Sequence, residues 1–208
     1  MTAQTLKIGL DSWIIQDGNY PDLEVGREYE FALEFYARDA QITADSAKYL
    51  LLLAGSDYRF GGAVLIAEPS VTVLDVGILC FQDGKVTFPA QSGDFVAGEL
   101  YLGIDPFFWF ETHSRVRGMP ALFYRWCVRR ILLETTPWIE SQDDAGRTVI
   151  RRADVERTFE AVQRTNAWSD DEGNANYILD CELLGQCSRP GPRVRRRPGS
   201  GGVSRPGR

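Results

Sequence analysis

The run Glu28-Tyr29-Glu30-Phe31-Ala32-Leu33-Glu34-Phe35 constrains this chain more than any other segment. Acids occupy even positions and large apolar residues odd ones. A β-strand sends alternate side chains to opposite faces, so this spacing predicts a strand with one wet acidic face and one packed face. A helix would scatter the same acids around its circumference. The chain is therefore expected to build on strands.

Further strand signals recur at short intervals. Leu6, Ile8 and Leu10 alternate before the turn Asp17-Gly18-Asn19. Residues 58–67 and 71–81 follow, broken at Glu68-Pro69-Ser70, and the short apolar run at 49–53 is open to either helix or strand. Asp83-Gly84 predicts a hairpin turn with a return strand over residues 86–88, because Gly there supplies positive φ. Residues 95–104 end at Asp105-Pro106. Residues 122–133 place Tyr124, Trp126 and Val128 on one face and Arg125 and Arg129 on the other. Many short strands with turn signals between them indicate an all-β, mainly antiparallel barrel or sandwich. The Val25-Gly26 lead into a long alternating strand resembles oligonucleotide/oligosaccharide-binding (OB) barrels, which implies a face for single-stranded nucleic acid or sugar.

The expected organisation is a β domain over residues 1–140 and an appended unit over 141–188. The appended unit reads as a hairpin of strands 159–168 and 177–184, with a short helix near 153–165 as the competing reading. Residues 189–208 contain only Arg, Gly, Pro, Ser and Val. With no core-forming side chains beyond two valines, this segment is expected to be a disordered basic tail.

Charge is unevenly spread. The formal net charge is −6, but seven arginines fall in residues 189–208, leaving −13 on the remainder. Such a field repels polyphosphate and attracts basic partners, so a basic protein partner is favoured over nucleic acid. The four cysteines, Cys80, Cys127, Cys181 and Cys187, have no Cys-x-x-Cys spacing and predict free thiols. No apolar run approaches the roughly 18 residues of a membrane span, and no signal-peptide core is present, so a cytoplasmic protein is expected. No metal or cofactor motif is present.

Candidate binding residues fall in three groups. Phe108 and Trp109 belong to the aromatic run 107–110, where four consecutive rings must divide between two faces. Arg125 and Arg129 share a strand face and could grip phosphates or carboxylates, or pair with Glu30 or Glu34. Glu28, Glu30 and Glu34 form the acidic face for a basic partner. For catalysis, Glu99, Asp105 and Glu111 are close enough in sequence to serve a carboxylate-dependent hydrolase. His113 is expected to be solvated. The reading favoured by these residues is a non-enzymatic binding or interaction protein.

Overall fold

In the computed structural model the described residues are 4–84, 86, 88–107, 113, 115–142, 148–153 and 155–187. The alternating run does form strand, but its two halves pair in different parts of one continuous 11-stranded sheet. Glu28–Phe31 (β2) pairs with Tyr124–Glu134 (β9), whereas Leu33–Ile42 (β3) pairs with Phe95–Ile104 (β8). The chain changes partners at Ala32. The period-two pattern is interrupted there, so Phe31, Ala32, Leu33, Glu34 and Phe35 are all buried in succession. Glu34 therefore leaves the acidic face on which the sequence pattern put it.

Five strands close a barrel. β3 lies between β8 and Leu79–Asp83 (β7), and β7 pairs with Val71–Asp75 (β6). Asp57–Glu68 (β5) completes the ring by pairing with both β6 and β8. All contacts are antiparallel except β3 with β7, where Glu34 faces Phe81. Closure removes the two open edges that a five-stranded sheet would otherwise carry. Tyr49–Ala54 (β4) pairs with β5 and keeps its other edge open. The ambiguous apolar run is thus a strand.

Two turns differ from expectation. Residues 71–81 do not run as one strand: they fold at Val76-Gly77-Ile78 into the β6–β7 hairpin. Gly77 takes φ 93° and its N–H donates to Asp75 Oδ1 at 3.0 Å. That conformation suits Gly and strains other residues. Among the described residues, no return strand follows the hairpin turn expected at Asp83-Gly84. Val86 and Phe88 lie outside any strand, yet both are buried against the core.

The remaining strands form the outer part of that sheet, the outer sheet. Thr5–Asp11 (β1) pairs with Asn176–Gln186 (β13), and β13 pairs with β9. The opposite edge of β9 carries β2 at one end and Phe159–Val162 (β12) at the other. Strands do exist at both places where the sequence suggested a hairpin, but β12 and β13 are not partners. They flank β9, because β9 is a long two-sided strand and satisfies the backbone of both. Between them, Asp170–Gly173 is a short 3-10 turn. Trp138–Gln142 (β10) and Thr148–Arg152 (β11) form a separate two-stranded ribbon, and Ser12–Gln16 is a short α-helix (α1).

One apolar cluster spans barrel and outer sheet. It includes Ile8, Phe35, Phe60, Leu100, Trp126 and Leu179, and so draws on both sides of residue 140. Trp126 stacks on Phe31 with ring centres 5.6 Å apart, and its indole N–H donates to the Phe31 carbonyl at 3.2 Å. Cores of this kind lose about 3–5 kcal/mol when such a ring is truncated. Phe123, Tyr124 and Trp126 are thereby committed to packing. The tail expected over residues 189–208 lies outside the described residues, as does Ser188.

Candidate functional site

Four of the residues singled out in the sequence gather along β9. Glu28 and Glu30 lie on β2, and Glu30 stands opposite Arg125 in register. Arg125 Nε is 3.7 Å from Glu28 Oε2, while Arg129 Nε donates to Glu182 Oε2 at 2.5 Å. Burial raises the pKa of the Cys187 thiol, and the Glu30 carboxylate adds to the shift. These arginines are engaged by neighbouring carboxylates, and surface pairs of this kind add little stability. Phe108 and Trp109 lie outside the described residues. Their neighbour Phe107 is exposed and meets Trp13, ring centres 5.7 Å apart.

Glu34 belongs to a different environment. With Phe81, Asp83, Asp105, Phe107 and His113 it lines a small cavity of about 160 Å³. His113 is buried, not solvated, and its Nε2 lies 2.7 Å from Asp83 Oδ1. Asp105 is buried and its Oδ1 accepts the Phe107 N–H at 3.0 Å. Burial pushes the Glu34 carboxyl up to about 7, with Asp105 adding repulsion and a hydrogen bond from Tyr36 opposing it. Of the hydrolase candidates, Glu99 sits on the barrel surface 3.7 Å from Arg59, whereas Asp105 is buried beside the small cavity. Glu111 lies outside the described residues.

A second cleft was not legible in the sequence. It holds about 540 Å³ between the barrel and the outer sheet. Its floor is β1 and β13, where Gly9 stands opposite Ile178 and Asp11 opposite Asn176. The barrel wall presents Tyr36 and Arg38 from β3, Asp57 from β5 and Tyr101 from β8. The far wall presents Glu134 from the end of β9, Arg152 from β11, Arg157 and Phe159. These residues come from eight strands and one loop, scattered across the sequence.

Glycine makes room for the cleft's central ring. β1 touches β8 at a single parallel bridge, Gly9 to Gly103. A Cβ on Gly9 would lie 1.8 Å from the Tyr101 hydroxyl, and one on Gly103 would lie 2.9 Å from the ring. Tyr101 is thus laid over two bare backbones. Tyr36 is half exposed, with its ring centre 6.3 Å from that of Tyr101.

The polar lining alternates in sign. Arg38 pairs with Asp57, and Arg157 Nε is 3.8 Å from Glu134 Oε1. Arg152 stacks over Trp138 at 3.9 Å, donates to the Thr136 carbonyl at 2.6 Å, and pairs with Asp171 at 2.5 Å. Burial raises the Asp11 carboxyl above its ordinary range, helped by Glu134, while the Trp13 indole N–H opposes the shift. Two buried side-chain atoms among the described residues lack a hydrogen-bond partner, Glu134 Oε1 and Arg152 Nε. Both belong to side chains of this cleft.

No family model, curated protein or solved structure matches the chain.

Proposed function

We propose that this is a non-enzymatic binding protein whose ligand site is the cleft between barrel and outer sheet. The observation that carries the reading is the cleft itself, about 540 Å³, where Tyr36, Tyr101 and Phe159 stand beside Asp11, Arg38, Asp57 and Arg157. The cleft volume lies within the range of small-molecule sites, and its aromatic rings sit beside convergent polar groups. A five-stranded barrel of OB type, which serves oligosaccharides and oligonucleotides, is a compatible frame by analogy of fold only. A cytoplasmic setting fits the four unpaired cysteines.

A second reading, a basic protein partner on the acidic surface, rests on the excess negative charge before residue 189 and on exposed Glu28 and Glu30. Single-stranded nucleic acid has weaker support, since Arg125 and Arg129 already face Glu28 and Glu182.

A thermal-shift screen of small polar compounds separates the two main readings. A ligand of the cleft should raise the melting temperature of the wild-type protein and of the Glu28→Lys/Glu30→Lys variant. It should leave Tyr36→Ala and Arg157→Ala unshifted, and chromatography should return it chemically unchanged. Stabilisation that survives in the cleft variants but disappears in the charge-reversal variant would move the site to β2.

A further inference from the structure

We propose that two copies of this chain pair through the open edge of β4, strand against antiparallel strand about a two-fold axis. Among the described residues the sheet has two ends, and they are built differently. One end is closed off by β2 and β12, each four residues long, with exposed Glu28, Glu30 and Glu160. Short strands and charges are the usual means of keeping an edge from recruiting another strand. The other end is Tyr49–Ala54, six residues without a charge or a proline. Its one irregularity against β5 lies between Leu52 and Ala54, so residues 49–52 stay in regular register.

The side chains of β4 point to strand addition in particular. Alternate residues turn to opposite faces, so Leu51 and Leu53 share one face and Leu52 takes the other. All three are exposed. A partner laid on one face of the strand would leave the other wet. A strand added alongside covers part of both and also satisfies the free backbone groups of the edge.

Charge selects the occupant. At a formal −6 the chain repels a second copy over most of its surface. Around β4 the charges cancel within the chain. Lys48 pairs with Asp75 at 2.7 Å, Arg59 opposite Leu51 lies 3.7 Å from Glu99, and Asp57 opposite Ala54 pairs with Arg38. Two acidic copies can meet on this patch without setting like charges together, whereas a charged partner finds no unpaired charge to grip. A two-fold interface must complement itself, and an uncharged run of leucines does so. Since the opposite end of the sheet is blunted, pairing stops at two copies. One strand edge is smaller than the roughly 1,600 Å² of a standard interface, so the pair forms at micromolar concentration and dissociates on dilution. Dilute protein is then a single chain whose bare edge is open to stray strands, and its unfolding reads that single chain.

The test is sedimentation of the full chain from about 1 to about 200 µM, with hydrogen exchange followed by mass spectrometry at both limits. The average mass should rise and level off at twice that of one chain. Amides of residues 49–54 should gain protection at the higher concentration, while those of β2 and β12 stay as they were. Raising salt from about 50 to about 500 mM should tighten the pair about twofold or more, because it screens repulsion between two acidic bodies. Leu51→Lys/Leu53→Lys should remain single throughout, and Glu28→Lys/Glu30→Lys should still pair. The replaced leucines are exposed, so the first variant should fold, which far-UV circular dichroism checks; if it does not, the exchange pattern of the wild type decides. A wild-type chain that stays single at every concentration overturns the proposal. So does a pair that survives in the folded leucine variant, weakens with salt, or gains its protection away from β4. A mass that climbs past two copies without levelling overturns it as well.

Discussion

Glu34 shows how one residue's fate depends on which strands its neighbours pair with. Set in the outer sheet it would be a solvated acid; carried into the barrel at Ala32, it is buried beside Asp105 and Asp83. Its carboxyl holds its proton up to about 7 in the fold, against an ordinary value of 4.5. The native state therefore binds this proton more tightly than the unfolded chain does. Stability should be highest below about pH 4.5 as far as this group is concerned, and should fall as pH rises through 7. The loss amounts to about 3 kcal/mol across that window. Urea unfolding of wild type and Glu34→Gln at about pH 5 and pH 8 checks this. The wild-type stability should drop relative to the variant at the higher pH; parallel behaviour would place the carboxyl in contact with water.

At the scale of elements, β9 and β4 are opposites. β9 is paired along both edges, by β13 on one side and by β2 and β12 on the other, and its inward residues Trp126, Val128 and Ile131 are fully buried. β4 is paired only with β5, and Leu51, Leu52 and Leu53 are exposed at 57%, 48% and 44%. An open edge of this composition, without a charge inside the strand, is the ordinary template for unwanted strand pairing. Replacing Leu51 and Leu53 by Lys should reduce aggregation during storage or heating, as followed by light scattering. The unfolding free energy should move by less than about 1 kcal/mol, because little apolar surface is buried there. A larger loss would show that these leucines pack against something in the native state.

For the whole molecule, charge and its segregation matter most. Residues 189–208 hold seven arginines and no acid, opposite in sign to the rest. Deleting them should change the melting temperature by less than about 2 °C, since a segment with almost no apolar side chains contributes little folding energy. The formal charge moves from −6 to −13, and retention on a cation exchanger at low salt should fall accordingly. A loss of several degrees would instead show the tail docked on the acidic surface around Glu28 and Glu30.

The sequence by itself determined the class of the fold. Period-two alternation at residues 28–35, and turn signals at Gly18 and Pro69, act over a few residues and are written in local order. The burial of Tyr124 and Trp126, with Arg125 and Arg129 turned outward, followed from the same alternation. Pairing was another matter. Whether β12 meets β13 or β9, and whether the chain turns at Gly77 or Gly84, depends on which backbone partners arrive from far along the chain. Glu34 and His113 became buried through the same long-range closure. The cleft lay furthest from view: Asp11, Tyr36, Tyr101, Glu134 and Arg152 share no motif or spacing. They meet only because a barrel and an outer sheet touch at Gly9 and Gly103, where two missing side chains let the sheets approach around one tyrosine ring.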